Sequence, residues 1–135
     1  MAQDIRNDFS GSTTAITITI NSVADAGNVT ATAVDLGAQA PLGIGIHAVL
    51  DGAAGSTAEV EWYMLWSEDN SAFTAAAVAQ LQHVTTMQGT TAFDEHFFVP
   101  VIARYFQLYF VNNSGGTMAA SGNSAEYWPL AIDQA

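Results

Sequence analysis

The sequence predicts an all-β fold: an antiparallel β-sandwich, jelly-roll-like, with about eight strands and at most one short helix. Many segments alternate apolar and polar residues with a period of two, which is typical of strands with one buried face. Turns rich in Asn, Asp and Gly separate these segments. No long helical segments lie between the strands to serve as crossover connections, so we expect antiparallel strands in two packed sheets.

The individual strands follow from this alternation. The segment AFTAAAVAQLQ is the one candidate helix, with Ser71 as its N-cap, and a surface loop is the alternative. In PLGIGIHAVL the predicted inward set is Leu42, Ile44, Ile46, Ala48 and Leu50, and in AEVEWYMLW it is Val60, Trp62, Met64 and Trp66. The predicted strands are TTAITITIN, VTATAV, PLGIGIHAVL, AEVEWYMLW, HVTTMQG, FDEHFFVPV, RYFQLYFVNN and SAEYWPLAI.

Length and composition suggest one domain over 13–135, preceded by a polar, glycine-containing arm over 1–12. The chain has no cysteine, which excludes disulfides, thiolate nucleophiles and zinc–thiolate sites. The N-terminus does not resemble a signal peptide, and no apolar run approaches the ~18 residues of a membrane span. We therefore expect the protein to be made in the cytoplasm.

The charge balance excludes several classes of partner. The chain has no lysine, its only arginines are Arg6 and Arg104, and 13 acidic residues give a net charge of -11. Because nucleic-acid affinity comes mainly from Lys and Arg at phosphates, we expect no nucleic-acid or membrane partner. The excess of surface carboxylates either keeps the protein soluble or suits a basic docking partner.

Histidines and carboxylates are the candidate metal ligands. Asp94 and His96 share one strand face and form half of a metal site. A complete site needs three or four ligands, and the sequence does not show whether His47 or His83 joins them. The alternative is an ordinary polar strand face, and we predict no metal or cofactor.

Enzymatic chemistry has weak support in the sequence. Glu59 and Glu61 share a strand face at a separation of about 6–7 Å, estimated from the rise per residue, which could support glycoside hydrolysis. Paired carboxylates are also routine on exposed strands. The acidic segment SEDNS lacks the spacing of a calcium-binding loop, and no serine lies in a Gly-x-Ser-x-Gly elbow. We predict no catalytic residues and no enzyme.

Tyrosines are the stronger functional signal. Tyr63, Tyr105 and Tyr109 lie opposite the main hydrophobic set of their strands, and Gln107 shares a face with the latter two. Aromatic side chains are enriched at interfaces because they bury much area with few rotatable bonds. An oligomer interface is the leading interpretation. A carbohydrate-binding platform and partly covered surface residues are the alternatives.

Two segments carry a family resemblance. DIRNDFSGSTTAITITINSVAD near the N-terminus and FQLYFVNNSGGTMAASGNSAEYWPL near the C-terminus resemble small virion proteins of tailed bacteriophages. This resemblance implies a β-sandwich head-decoration (cement) protein that binds the outer surface of the capsid. Proteins of this kind are commonly trimers, and some are dimers. The resemblance carries over no catalytic residue.

The resemblance also implies partners and a location. We expect the major capsid protein as partner, a homo-oligomer with the trimer favoured over the dimer, and a position on the capsid surface of the virion. The alternative is a carbohydrate-binding or host-recognition module of a phage tail or baseplate. The predicted interface residues are Ile5, Arg6 and Phe9 in the arm, and Tyr63, Tyr105, Gln107 and Tyr109 in the sandwich.

Overall fold

The computed structural model describes residues 13–39 and 41–130, and these residues are almost entirely β structure. One 3₁₀ turn, Ala76–Val78, is the only helical element among them. The strands are β1 Thr14–Ile16, β2 Asn28–Thr30, β3 Val34–Asp35, β4 Gly43–Leu50, β5 Glu59–Ser67, β6 Leu81–Thr86, β7 Phe93–Pro100, β8 Tyr105–Asn113 and β9 Ser124–Leu130.

The strands form two antiparallel sheets. One has the order β1-β9-β4-β7, and the other has the order β2-β8-β5-β6, with β3 pairing alongside β2 on β8. Apart from the β2/β3 pair and the β5–β6 hairpin, consecutive strands lie in opposite sheets. This order is that of a jelly roll, with β2 and β3 sharing one strand position. The predicted fold class is confirmed.

The inner faces of the two sheets share one hydrophobic core. Trp62 lies at its centre, 4.9 Å from Phe110 and 5.6 Å from Phe97 between ring centroids. The Trp62 indole N–H donates to the buried hydroxyl of Thr85 at 3.0 Å, so this polar atom is not buried without a partner. The alternating residues of β4 and β8 supply a large share of the core: Ile44, Ile46, Ala48 and Leu50, with Phe106, Leu108 and Phe110.

Three details differ from the sequence prediction. The TTAITITIN segment pairs as a strand only over Thr14–Ile16, although Ile20 beyond it is also fully buried. Leu42 is 62% exposed because it precedes the first residue of β4. In the candidate helix, only Ala76–Val78 is helical, and Ser71 does not cap it, because the intervening chain is extended at Ala75. The loop alternative was therefore correct.

Buried amides connect the loops at one end of the sandwich. Asn112 donates to the carbonyls of Val23 and Gly116 at 2.9 and 2.8 Å. Asn123 accepts from the backbone N–H of Asp51 at 2.8 Å and donates to the side chain of Asn21 at 3.1 Å. The β1–β2, β4–β5 and β8–β9 connections are thus joined by partly buried hydrogen bonds.

Candidate functional site

The four sandwich residues of the predicted interface share one surface. On the outer side of the β2-β8-β5-β6 sheet, Tyr63 lies opposite Tyr109 with ring centroids 5.8 Å apart. Gln107 lies opposite Leu65 in the same register, and Tyr105 lies at the next outward position of β8. We call these five residues the tyrosine face. Ile5, Arg6 and Phe9 of the prediction lie outside the described residues.

The tyrosine face is tightly packed. Its tyrosines are half-buried, and Leu65 is 5% exposed although it points away from the core. Aromatic side chains that lie against one another on a sheet present a rigid surface with few rotamers left to restrict. The face is therefore already ordered before any partner arrives.

Polar groups at the margins of the tyrosine face are hydrogen-bonded within the chain. The Tyr63 hydroxyl donates to Glu61 at 2.7 Å, and this hydrogen bond raises the pKa of Tyr63. Arg104 forms two hydrogen bonds to Asp35, at 2.8 and 2.9 Å, and its guanidinium lies 5.0 Å from the centre of the Tyr105 ring. The bond to Arg104 lowers the pKa of Asp35 to about 2. Both charges of this pair are thus satisfied at the border of the face.

Exposed apolar residues continue the tyrosine face onto the edge strand β6. Leu81 lies opposite Tyr63 and is 49% exposed, and Val84 lies opposite Glu61 and is 36% exposed. Sequence reasoning missed these residues. Alternation along LQHVTT indicates that Val84 lies on the other face of the strand from His83 and Thr85. Only the register of β6 on β5 shows that Val84 borders the tyrosine face.

The opposite sheet carries a second aromatic surface, which sequence reasoning also missed. The Trp128 indole covers Gly45, where an added Cβ would lie 2.1 Å from the ring. Phe98 covers Gly43 in the same manner, at 2.3 Å. The available signal was the pair of alternating glycines in a strong strand, since such glycines often mark the close approach of another group.

Two histidines extend this second surface. His47 and His96 stack with ring centroids 4.4 Å apart, and His96 lies 6.3 Å from Trp128. We call Phe98, Trp128, His96 and His47, with the glycines beneath them, the tryptophan face. It runs along β4 on the outer side of the β1-β9-β4-β7 sheet.

Carboxylates surround His47. Its Nδ1–H donates to Glu126 at 2.7 Å, whereas its Nε2 lies 3.4 Å from Asp94 without hydrogen-bond geometry. The hydrogen bond to Glu126 raises the pKa of His47 despite the opposing effect of desolvation. The same bond lowers the pKa of Glu126. The pair is therefore an ion pair in mildly acidic solution.

The structure separates the candidate metal ligands. His47 does approach Asp94 and His96, but the two imidazoles meet through their ring faces rather than their nitrogens. His83 lies elsewhere, hydrogen-bonded to Glu95 and stacked on Phe97. Within residues 13–39 and 41–130, no group of three potential ligands could hold a metal ion.

Of the two carboxylates that could support glycoside hydrolysis, Glu61 has a structural partner. Glu61 accepts the Tyr63 hydroxyl, and Glu59 lies exposed at the start of β5. In the SEDNS segment, Asp69 accepts hydrogen bonds from Ser71 and from the backbone of Ala72, and the bonds to Ser71 hold its pKa well below the usual range. These interactions close a tight acidic turn.

Two open depressions lie at the other end of the sandwich. They have volumes of about 520 and 500 Å³ and share Ile102, which is 70% exposed, and Glu68. Trp66 and Phe73 line the first, and Arg104 borders the second. Trp66, predicted inward, is only half-buried for this reason. Their walls mix polar and apolar groups. Ser67 donates to Asp69 in the first, but the hydrogen bonds that hold the pKa of Asp69 well below its usual range make this carboxylate a weak base.

Comparison with known proteins adds no relative: no family model matches the chain, and no curated protein is similar to it in sequence. Among the helical residues that the structure describes, no helix is long and apolar enough to cross a membrane.

Proposed function

We propose that this chain is a structural virion protein that decorates the outer surface of a bacteriophage capsid and stabilises the head. The observation that carries the proposal is the tyrosine face: an ordered aromatic surface, bordered by paired charges, on the outside of a jelly-roll sheet. The resemblance of both terminal segments to phage virion proteins is the reason for proposing a phage capsid as the assembly to which the chain binds.

A surface of this kind supports a contact role for physical reasons. Tyrosine buries a large area with few rotors, and its hydroxyl can stay hydrogen-bonded at the rim of an interface. Asp35 and Arg104 already neutralise each other, and the Glu61 carboxylate already accepts a hydrogen bond from Tyr63, so these groups need no new partner to remain hydrogen-bonded when the border is covered. Many copies on one shell also bind through multivalency, so each contact needs only modest strength.

The pairing of titratable groups supports a structural role over a catalytic one. His47 is bonded to Glu126, His83 to Glu95, and Tyr63 to Glu61. A catalytic base must be positioned to face its substrate. These side chains are instead directed at one another along or between strands.

The decisive experiment uses heads produced from the genome that encodes this chain, with and without its gene. Purified protein added to heads that lack it should sediment with them and raise the temperature at which they rupture. The double variant Tyr105→Ala with Tyr109→Ala should keep its fold, as measured by circular dichroism. The amount that sediments with heads should fall about tenfold or more, because interface aromatics are common hot spots. Loop variant Gln88→Ala with Thr90→Ala is the control. Heads that neither bind the protein nor gain stability would refute the proposal.

The oligomeric state is measured on the same material. We expect a trimer, or a dimer, in sedimentation equilibrium, with the tyrosine face covered by a sister subunit or by the major capsid protein. If the double variant matches the wild type in subunit count and in head binding, the tyrosine face is not the contact.

A second candidate is a carbohydrate-binding or host-recognition module of a phage tail or baseplate. It is favoured by aromatic rings that lie along the outer faces of both sheets beside polar groups, such as Tyr109 beside Gln107. Binding on a glycan array that is lost with Tyr63→Ala, without association with heads, would support this candidate instead.

A further inference from the structure

We propose that the tryptophan face is a second docking surface, and that its occupant is a basic segment of a partner protein rather than another copy of this chain. The partner would place lysine or arginine side chains against the Trp128 and Phe98 rings and beside the carboxylates of Asp94 and Glu126. This inference does not depend on whether the partner is a capsid.

The first support is the construction of the surface. Gly43 and Gly45 lack the side chains that would lift the rings off the sheet, so Phe98 and Trp128 lie directly on β4. Phe98 remains 54% exposed in this position. Two glycines in the central part of a sheet cost stability relative to alanine. A broad aromatic surface that remains accessible is what this arrangement produces.

The second support is the charge beside the rings. The Asp94 and Glu126 side chains are 63% and 36% exposed, and both lie on this face next to His47. Cations bind the faces of aromatic rings, and tryptophan is the best ring for this contact. Exposed carboxylates beside such rings strengthen the attraction for a cationic side chain.

The third support argues against the described part of a second copy as the occupant; Arg6 lies outside that part. This chain has no lysine and two arginines, of which Arg104 is bonded to Asp35 at the border of the tyrosine face on the other sheet. A second copy would therefore bring carboxylates, at a net charge of -11 per chain, to a surface that already carries two. Like charges brought together across an interface oppose binding. Charge complementarity selects a basic partner.

The test titrates the full-length protein with an eight-residue peptide of alternating Arg and Gly, and with the matched Glu and Gly peptide. We expect the Arg peptide alone to bind, with weaker binding as NaCl rises from about 0.02 to about 0.5 M, because salt screens the attraction. Chemical shift changes should concentrate on the tryptophan face.

Matched variants separate this surface from general attraction to an acidic protein. Trp128→Ala should weaken binding of the Arg peptide by about five- to tenfold, as expected for loss of a cation–π contact. Phe98→Gln, at a more exposed position, gives the same test if Trp128→Ala folds poorly. Tyr109→Ala on the opposite sheet should change the affinity by less than about twofold.

The charge control compares two substitutions with the same effect on net charge. Asp94→Asn should weaken binding more than Glu59→Gln, since Asp94 lies on the tryptophan face beside His47 and Glu59 lies on the other sheet. The inference is overturned if both charge variants act equally, if Trp128→Ala and Phe98→Gln leave the affinity unchanged, or if a glycan rather than the Arg peptide binds at Trp128. None of these outcomes bears on the head-binding test of the tyrosine face.

Discussion

Asn112 is fully buried at the end of β8, and its side chain satisfies three backbone groups from different parts of the chain. Its amide NH₂ donates to Val23 and Gly116, while its carbonyl accepts from the N–H of Ser114. Removing this side chain leaves the buried N–H of Ser114 without a partner and takes one of two donors from each carbonyl, which is more costly than losing one surface hydrogen bond. The sequence NNSGG predicted a turn here, but not which of its asparagines is structural.

We predict that Asn112→Ala lowers the free energy of unfolding by about 2 kcal/mol, since one buried N–H loses its partner and two carbonyls each lose one of two donors. The adjacent Asn113 is exposed, so Asn113→Ala should change the free energy of unfolding by less than about 0.5 kcal/mol. Urea unfolding followed by tryptophan fluorescence measures both. Equal effects of the two substitutions would contradict the assignment.

His47 makes stability depend on pH through its bond to Glu126. Folding raises the pKa of His47 above its unfolded value of 6.5. The contribution of His47 to the stability of the fold is therefore fully present below pH 6.5 and is lost as pH rises through the folded pKa. The pKa of Glu126 is lowered, so its contribution is present above 4.5 and is lost as pH falls through the folded value. Both contributions coexist between about pH 4.5 and 6.5.

We predict that His47→Gln removes this dependence. Between pH 6 and pH 9 the wild type should lose up to roughly 1 kcal/mol more than the variant, a modest value because the pair is partly exposed. Urea midpoints at a series of pH values provide the measurement, with His96→Gln as the comparison because His96 stacks on His47 without bonding Glu126. A wild type whose stability rises from pH 6 to 9 relative to His47→Gln would reverse the sign and refute the pairing.

At the scale of elements, β4 illustrates how register decides a surface. It is the strand between β9 and β7, and Gly45 lies opposite both Trp128 and Phe98. The inward residues of β4 belong to the core, whereas its outward glycines leave room for the aromatic side chains of its neighbours. A larger residue at these positions would force the rings away from the sheet.

We predict opposite signs for Gly45→Ala in two backgrounds. In the wild type the new Cβ meets the Trp128 indole at 2.1 Å, so the substitution should cost about 1–3 kcal/mol, as overpacking typically does. In Trp128→Ala it should be neutral or stabilise by up to about 1 kcal/mol, because alanine is favoured over glycine in a strand. A double-mutant cycle of urea unfolding measures the coupling, and additive effects would contradict the contact.

The strands were predictable where alternation coincides with pairing. Every second residue is apolar from Val60 to Trp66 in β5 and from Phe106 to Phe110 in β8, and these strands pair with each other over nine positions as expected. The TTAITITIN segment alternates equally well but pairs only at Thr14–Ile16, because the chain then leaves the sheet while Ile20 still reaches the core. Alternation predicts that one face of a segment is buried. It does not predict whether a neighbouring strand pairs with that segment along its whole length.

At the scale of the whole molecule, the candidate surfaces were predictable only in part. The tyrosine face follows from alternation, because Tyr63 and Tyr109 had to point away from their own core residues. The tryptophan face did not follow, because it depends on which strands flank β4 and on the register that places Trp128 over Gly45. Residues far apart in the sequence can be neighbours in the sheet, and alternation alone does not identify them. His47, for example, is hydrogen-bonded to Glu126, 79 residues away.

The net charge of -11 should also be measurable as a property of the whole molecule. Among the described residues, carboxylates pair with Arg104, His47 and His83, so repulsion between carboxylates should outweigh the few attractive pairs. Added salt screens repulsion between exposed charges, and the free energy of unfolding in urea should rise by roughly 1 kcal/mol between about 0.02 and 0.3 M NaCl. The variant Glu59→Gln with Glu68→Gln, which lowers the charge from -11 to -9, should show a smaller rise because both side chains are exposed. If salt instead lowers stability, the paired charges dominate the electrostatics of the fold.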